Sequence, residues 1–205
     1  MYNPPRFESQ DIDQAFQLMY QYPFATFISI ANSEPIISQI PLSVKKVGAE
    51  IVIVGHLARA NPHSKYLDNA QCNAVFLGPH AYITPKWYAA NDVPTWNYST
   101  VHVKAQCSIL KSYDETVDCL KTLRDQAEEL WPSGWDFFIP EDLEGERLTK
   151  SIVAFQLKLQ DVQFKNKLSQ NRSADDKIGI LQGLRGRPDE GSRGVLAAME
   201  KILKK

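Results

Sequence analysis

FATFISIANSEPIISQIPLSV, residues 24–44, sets the fold class of this chain. Residues 24–30 and 36–44 are rich in the β-branched and aromatic residues that favour strands, and ANSEP (31–35) between them carries turn residues. Two such runs joined by a short turn read as a β-hairpin, and hairpins build antiparallel sheets. Downstream, AEIVIVGHL (49–57) is a third strand after a turn at Gly48. CNAVFLG (72–78) is a fourth, AYIT (81–84) a short fifth, and TWNYSTVHVKAQCSIL (95–110) one long strand. SIVAFQLKLQDVQFK (151–165) closes the set.

Helices are expected at the edges. Ile12, Ala15, Phe16 and Met19 share one stripe of 11–20 before Pro23, and Val117, Leu120, Leu123, Ala127 and Leu130 share one face of 114–130. WPSGWDFFIP (131–140) breaks that helix, and Asp136, Glu141 and Asp142 around it read as a loop. Two more helices are expected near 174–185 and 189–204, separated by GRP. Short connections without a βαβ rhythm argue against a doubly wound sheet and for a closed or split antiparallel barrel with peripheral helices. The expected organisation is a barrel domain over 1–172 and a helical extension over 173–205.

Hydrophobic residues make up 43% and charged residues 23% of the 205, an ordinary globular balance. No apolar run approaches a membrane span, and the N-terminal residues lack the order of a signal peptide, so a cytoplasmic protein is expected. Cys72, Cys107 and Cys119 are odd in number, widely spaced and outside any CxxC, which reads as buried reduced thiols. Net charge is −1, but residues 158–205 hold 11 basic and 6 acidic residues against 12 and 18 before them. A basic tail suits phosphates of a cofactor or nucleic acid, or simply a solvated helix face.

GHLARANPH (55–63) brings an arginine and hydrogen-bonding side chains to the end of an apolar strand. Arg59 offers a planar fork to phosphate oxygens, at a strand-to-helix handover whose amides suit an anion. The alternative is a surface turn capped by Asn61. His56, His63, His80 and His102 show no metal-ligand spacing and read as pocket hydrogen bonders. Trp87, Tyr88, Trp96 and Tyr98 suit core, a dimer contact, or a flat slot for a conjugated ring. No GxSxG and no cysteine beside a histidine supports a hydrolase, and no general acid or base stands out, so catalytic turnover is left open.

MYNPPRF, GHLARANPH, GPHAYITPKWY, VPTWNYSTVHV and KLSQNR, in this order, resemble the PaiB-type family of FMN-binding negative transcriptional regulators. The resemblance spans essentially the whole chain, with departures at Ser64 and at Lys104–Ala105. It implies a split barrel like that of pyridoxamine-phosphate-oxidase-type flavoproteins, a homodimer with FMN at the subunit interface, and repression of sporulation and extracellular protease genes. It places the FMN phosphate on Arg59 and the amides of Ala58 and Ala60, with His56, Leu57, Asn61 and His63 around it. Thr95, Trp96, Asn97 and Tyr98 would line the ring edge. Lys167, Ser169, Gln170, Asn171 and Arg172 would reach the cofactor from the same or the partner subunit. Three functions compete: an FMN-binding regulator that contacts DNA through the tail helices, a flavin-dependent oxidoreductase, and a haem-binding or haem-degrading barrel served by one of the four histidines.

Overall fold

Asn32 and Ser33 both take positive φ, 53° and 68°, so the opening hairpin turns through two residues with Ala31 paired to Glu34. This is the primed turn whose twist matches that of its strands. The computed structural model describes residues 1–48, 50–90, 92–136, 139 and 143–203. In chain order it comprises β1 (Glu8–Ser9), α1 (Ile12–Gln21), β2 (Phe24–Ala31), β3 (Glu34–Pro41), β4 (Ser43–Val47) and β5 (Glu50–Ala58). There follow β6 (Gln71–Ile83), β7 (Thr95–Ile109), α2 (Tyr113–Leu130), α3 (Leu143–Lys150), β8 (Ile152–Lys167), α4 (Ala174–Arg185) and α5 (Glu190–Leu203). The strands form one sheet in the order β3-β2-β6-β7-β8-β5-β4, with β1 on β8, and the described residues do not close it. The pairings β1–β8, β2–β3, β2–β6, β4–β5 and β5–β8 are antiparallel, as the hairpin implied. No described helix is long and apolar enough to cross a membrane.

Against the seven expected runs, β1 is an added strand, one run is split and two others are joined. The run 36–44 is broken at Leu42, which is fully buried and donates its amide to the Pro23 carbonyl at 2.8 Å. The runs 72–78 and 81–84 are one strand. Its buried positions shift from Cys72, Ala74, Phe76 and Gly78 to Ala81 and Ile83, as a bulge at Pro79–His80 would do. No element was expected over 143–150, where α3 forms; the loop expected at Glu141 and Asp142 lies outside the described residues.

The chain divides into two units. One comprises residues 13–76 and 102–162. Its core stacks Phe27 on Phe155 at 5.2 Å and on His63 at 5.0 Å. Gly55 is required there, since a Cβ would lie 2.5 Å from Leu42 Cδ2 and 3.0 Å from Phe155 Cζ. The buried Gln126 of α2 accepts the Val44 amide at 2.9 Å and donates to the Tyr20 carbonyl at 2.7 Å, tying helix to sheet. Cys72, Cys107 and Cys119 are buried free thiols, as read from their spacing. Burial pushes the pKa of Cys72 and Cys119 up to about 12 and that of Cys107 up as well, so all three are poor nucleophiles.

The other unit comprises residues 1–12, 77–101 and 163–205. Its core joins Ala81, Ile83, Tyr88 and Leu168 to Ile180 and Leu184 of α4 and Val195 and Met199 of α5. Trp87 packs against α4 where Gly179 and Gly183 leave space.

Candidate functional site

The stretch 55–63 lies in the first unit. Leu57 is buried, and His56 is half-buried with Nδ1 sequestered and without a hydrogen-bond partner among the described residues. The Ala58 carbonyl accepts the Asn61 amide at 2.9 Å, closing a tight turn through Arg59 and Ala60. Asn61 Oδ1 accepts the His63 amide at 3.0 Å and caps the short 3-10 helix Pro62–Tyr66. His63 is fully buried, and its Nε2 and Nδ1 share hydrogen bonds with Ser29 Oγ at 2.8 Å and Ser38 Oγ at 2.9 Å. Its place is therefore in the core, with both ring nitrogens occupied. The guanidinium of Arg59 donates from Nε to the Lys150 carbonyl at 2.6 Å and from Nη2 to the Ile152 carbonyl at 2.7 Å. Two of its five N–H donors are thus spent on backbone, which fixes the fork and leaves the rest for an acceptor.

Arg59 opens onto a cavity of about 890 Å³, large enough for a small-molecule cofactor. Lys65, Lys111 and Lys150 add positive charge to its walls, while Ile109, Leu110 and Val153 add apolar surface and Tyr113 an aromatic ring. Lys111 pairs with Asp68 at 3.5 Å and Lys150 with Glu146 at 2.7 Å; among the described residues no acid lies within ion-pair distance of Arg59 or Lys65. The N-terminus of α2 also faces the cavity through Ser112 and Thr116. It is already capped: Ser112 Oγ accepts the Glu115 amide at 3.1 Å, and the Glu115 carboxylate takes the Ser112 amide at 3.0 Å. Those bonds to Ser112, with the Lys111 amide, hold the Glu115 carboxyl below the usual carboxylate range. An anion in this cavity would therefore be held by the side-chain cations rather than by the helix end. The sequence reading found Arg59 alone of these. The S-x-x-E box at 112–115 was a visible signal for the helix start, but its convergence with Arg59 depends on long-range strand pairing, such as that of Ala58 with Ile152.

The remaining residues predicted for the site lie in the second unit. Lys167 donates to Thr95 Oγ1 and to the Trp96 carbonyl at 3.0 Å. Ser169, at φ 61°, donates its hydroxyl to Oδ1 of the buried Asn97 at 3.1 Å. Gln170 spends its amide locally, accepting the Leu168 N–H at 2.8 Å and donating to the Asn166 carbonyl. Arg172 pairs with Asp92 and lies 4.2 Å over the Tyr88 ring. Tyr98 receives Lys165 at 5.3 Å, and the exposed Trp96 donates its indole N–H to His80 Nδ1 at 3.3 Å. Thr95, Asn97, Lys167, Ser169, Asn171 and Arg172 border one pocket of about 160 Å³.

Burial lowers the proton affinity of both His56 and His63. The unfolded chain, with ordinary histidines near pH 6.5, then binds more protons than the folded one below that pH. Stability is present in full above pH 6.5 and is lost as pH falls below it. Thermal unfolding should show a lower Tm at pH 5.5 than at pH 7.5, and a His56→Gln variant should show a smaller drop; an equal drop would remove His56 from this account.

Residues 1–161 match the family described as "Putative FMN-binding domain". This chain belongs to that family. It is 33% identical over 208 residues to the protease synthase and sporulation protein PAI 2 of Bacillus subtilis, covering all of this chain and 99% of that one. An uncharacterised protein of Saccharomyces cerevisiae is 31% identical over 160 residues, 65% of this chain and 94% of its own. Among solved structures, the FAD and haem binding protein of Mycobacterium smegmatis superposes with a TM-score of 0.64 at 14% identity, covering 83% of this chain and 78% of that one. A flavocytochrome of Azotobacter vinelandii gives 0.60 at 14% identity, covering 84% and 75%. These likenesses establish the split-barrel fold. Family membership makes a flavin, FMN, the cofactor expected from the sequence and supported here.

Proposed function

We propose that this protein is an FMN-binding regulator of the PaiB kind, working as a cytoplasmic homodimer. The observation that carries the reading is the cavity of about 890 Å³ with Arg59 and Lys65 on its wall. The residues present fit the cofactor: guanidinium and ammonium groups for a phosphate, apolar and aromatic surface for a ring, and space for both. FMN, when bound, supplies redox chemistry that no side chain offers. The chain's own part is to clamp the phosphate through Arg59, supported by the turn at Ala58, Ala60 and Asn61. Trp96 and Tyr98 remain ring-edge contacts in this reading, contributed by either subunit, whereas Thr95, Asn97, Lys167, Ser169, Asn171 and Arg172 border the small pocket of the second unit. The oxidoreductase alternative uses the same cofactor and adds turnover. A haem reading gains nothing from His63, whose ring nitrogens are both engaged in the core.

A homodimer is supported by the outer face of the β2–β3 hairpin. Phe24, Ile30 and Ile37 are 65%, 61% and 59% exposed, and Ile28 is paired directly across from Ile37. Contiguous exposed apolar surface of this kind marks an interaction site. Ile37→Glu should weaken dimerisation at least tenfold in sedimentation equilibrium, the scale of a buried anchor, and an unchanged dimer would dissociate this face from assembly. Direct DNA contact finds less support in the tail. Arg185 is paired with Glu200 at 2.7 Å, Arg187 donates to the Tyr82 carbonyl at 2.7 Å, and the apolar faces of α4 and α5 are buried.

An absorption spectrum and mass analysis of the purified protein test the cofactor. The expected result is a flavin spectrum with the mass of FMN. A colourless protein that leaves added FMN unchanged would overturn the reading.

A further inference from the structure

The pocket of about 160 Å³ in the second unit is too small for a whole cofactor, and its chemistry is one-sided. Arg6, Lys167 and Arg172 border it, and Lys165 stands beside Lys167. Asp92 and Asp176 stand on the Arg172 side, where Asp92 pairs with Arg172 and Asp176 accepts the Ala89 amide at 2.9 Å, and the exposed Glu8 is paired across β1–β8 from Lys165. Lys167 is held below the ordinary lysine range, first by burial and then by the charges of Lys165 and Arg172. Its ammonium spends two donors on Thr95 and the Trp96 carbonyl, leaving a third. Arg172 is fixed by Asp92 and the Tyr88 ring, with its side chain 17% exposed. Asn97 and Ser169 are buried at the wall, and Ser169 holds the left-handed backbone that a non-glycine residue adopts at some cost. The result is a preorganised cluster of cations whose mutual repulsion an anion would relieve.

We infer that this pocket binds the carboxylate or phosphate head group of a small acidic ligand distinct from FMN. The family model ends at residue 161, before Lys167, Ser169, Asn171 and Arg172, and the pocket they border is too small for the cofactor that the KLSQNR resemblance brings to them. Trp96 and Tyr98 do not border the pocket and stay available to the flavin reading. That the ligand is a substrate or effector of a flavoprotein rests on the FMN reading; the existence of the oxyanion site does not.

The test is calorimetric titration of the FMN-saturated full chain with inorganic phosphate and, separately, with acetate, against sodium chloride at matched ionic strength. A saturable heat with either oxyanion, absent with chloride, is expected, and the tighter of the two names the head group. Lys167→Gln and Arg6→Ala should each weaken it at least tenfold, while Arg59→Ala should leave it unchanged. Arg6 is exposed, so its variant keeps the test valid if Lys167→Gln fails to fold. No saturable heat, or binding that survives Arg6→Ala, overturns the inference. If the chain takes up no FMN, the titration is run without it. Phosphate or acetate binding lost in Arg6→Ala then upholds the pocket while the cofactor reading falls.

Discussion

Arg59→Ala should raise the dissociation constant for FMN about 10- to 100-fold and leave that for riboflavin nearly unchanged. A hydrogen bond to a charged group contributes about 1.5–3 kcal/mol, which corresponds to this range. Riboflavin lacks the phosphate, so it should not register the loss. The structural cost should be modest, because the two carbonyls that Arg59 serves, at Lys150 and Ile152, belong to exposed contacts and can turn to water. Fluorescence titration of the apo protein measures both constants, and the unfolding midpoint checks that the variant is folded. Equal losses for FMN and riboflavin would show that Arg59 shapes the cavity without holding a phosphate.

Gly179→Ala should lower Tm by about 6–12 °C. In an exposed helix this change would gain about 1 kcal/mol. Here the added methyl would stand 2.0 Å from the Trp87 carbonyl oxygen, and backbone cannot step aside as a flexible side chain would. Gly183→Ala meets the Trp87 indole at 2.1 Å and should act in the same direction. A clash with backbone belongs at the upper end of the overpacking cost, about 3 kcal/mol, and each kcal/mol moves Tm by about 2–4 °C in a chain of this size. Gly186→Ala is the control, since its methyl would meet the Gly183 and Gln182 carbonyls at ordinary contact distances of 3.5 and 3.9 Å and φ there is ordinary. A stable Gly179→Ala protein would mean that α4 does not seat on Trp87.

Much of the fold was legible because its signals are local. The ANSEP turn and the apolar stripes of α1 and α2 lie within a few residues of the elements they define. Pro79 misled because proline usually ends a strand, whereas here it sits at a phase slip inside one. Leu42 misled because the apolar pattern runs on through the bend. In LEGERLTK only Leu143 and Leu148 are apolar, too few to mark α3 as a helix.

The site was less legible, for a physical reason. Arg59 could be singled out by its place after an apolar strand. Lys65, Lys111, Tyr113 and Lys150 join it only after β5 pairs with β8 and α2 packs on that sheet. Arg6 meets Lys167 and Arg172 across more than 160 residues of sequence. His63 went the other way. Its motif suggested a pocket, but its partners Ser29 and Ser38 come from the hairpin and place it in the core.

The central claim is that the chain holds FMN by its phosphate. Titrating the wild-type apo protein with FMN and with riboflavin under identical conditions tests it most directly. The account predicts saturable flavin-fluorescence quenching at one FMN per chain, with FMN bound at least tenfold more tightly than riboflavin. Equal affinities, or no quenching by FMN, would contradict it.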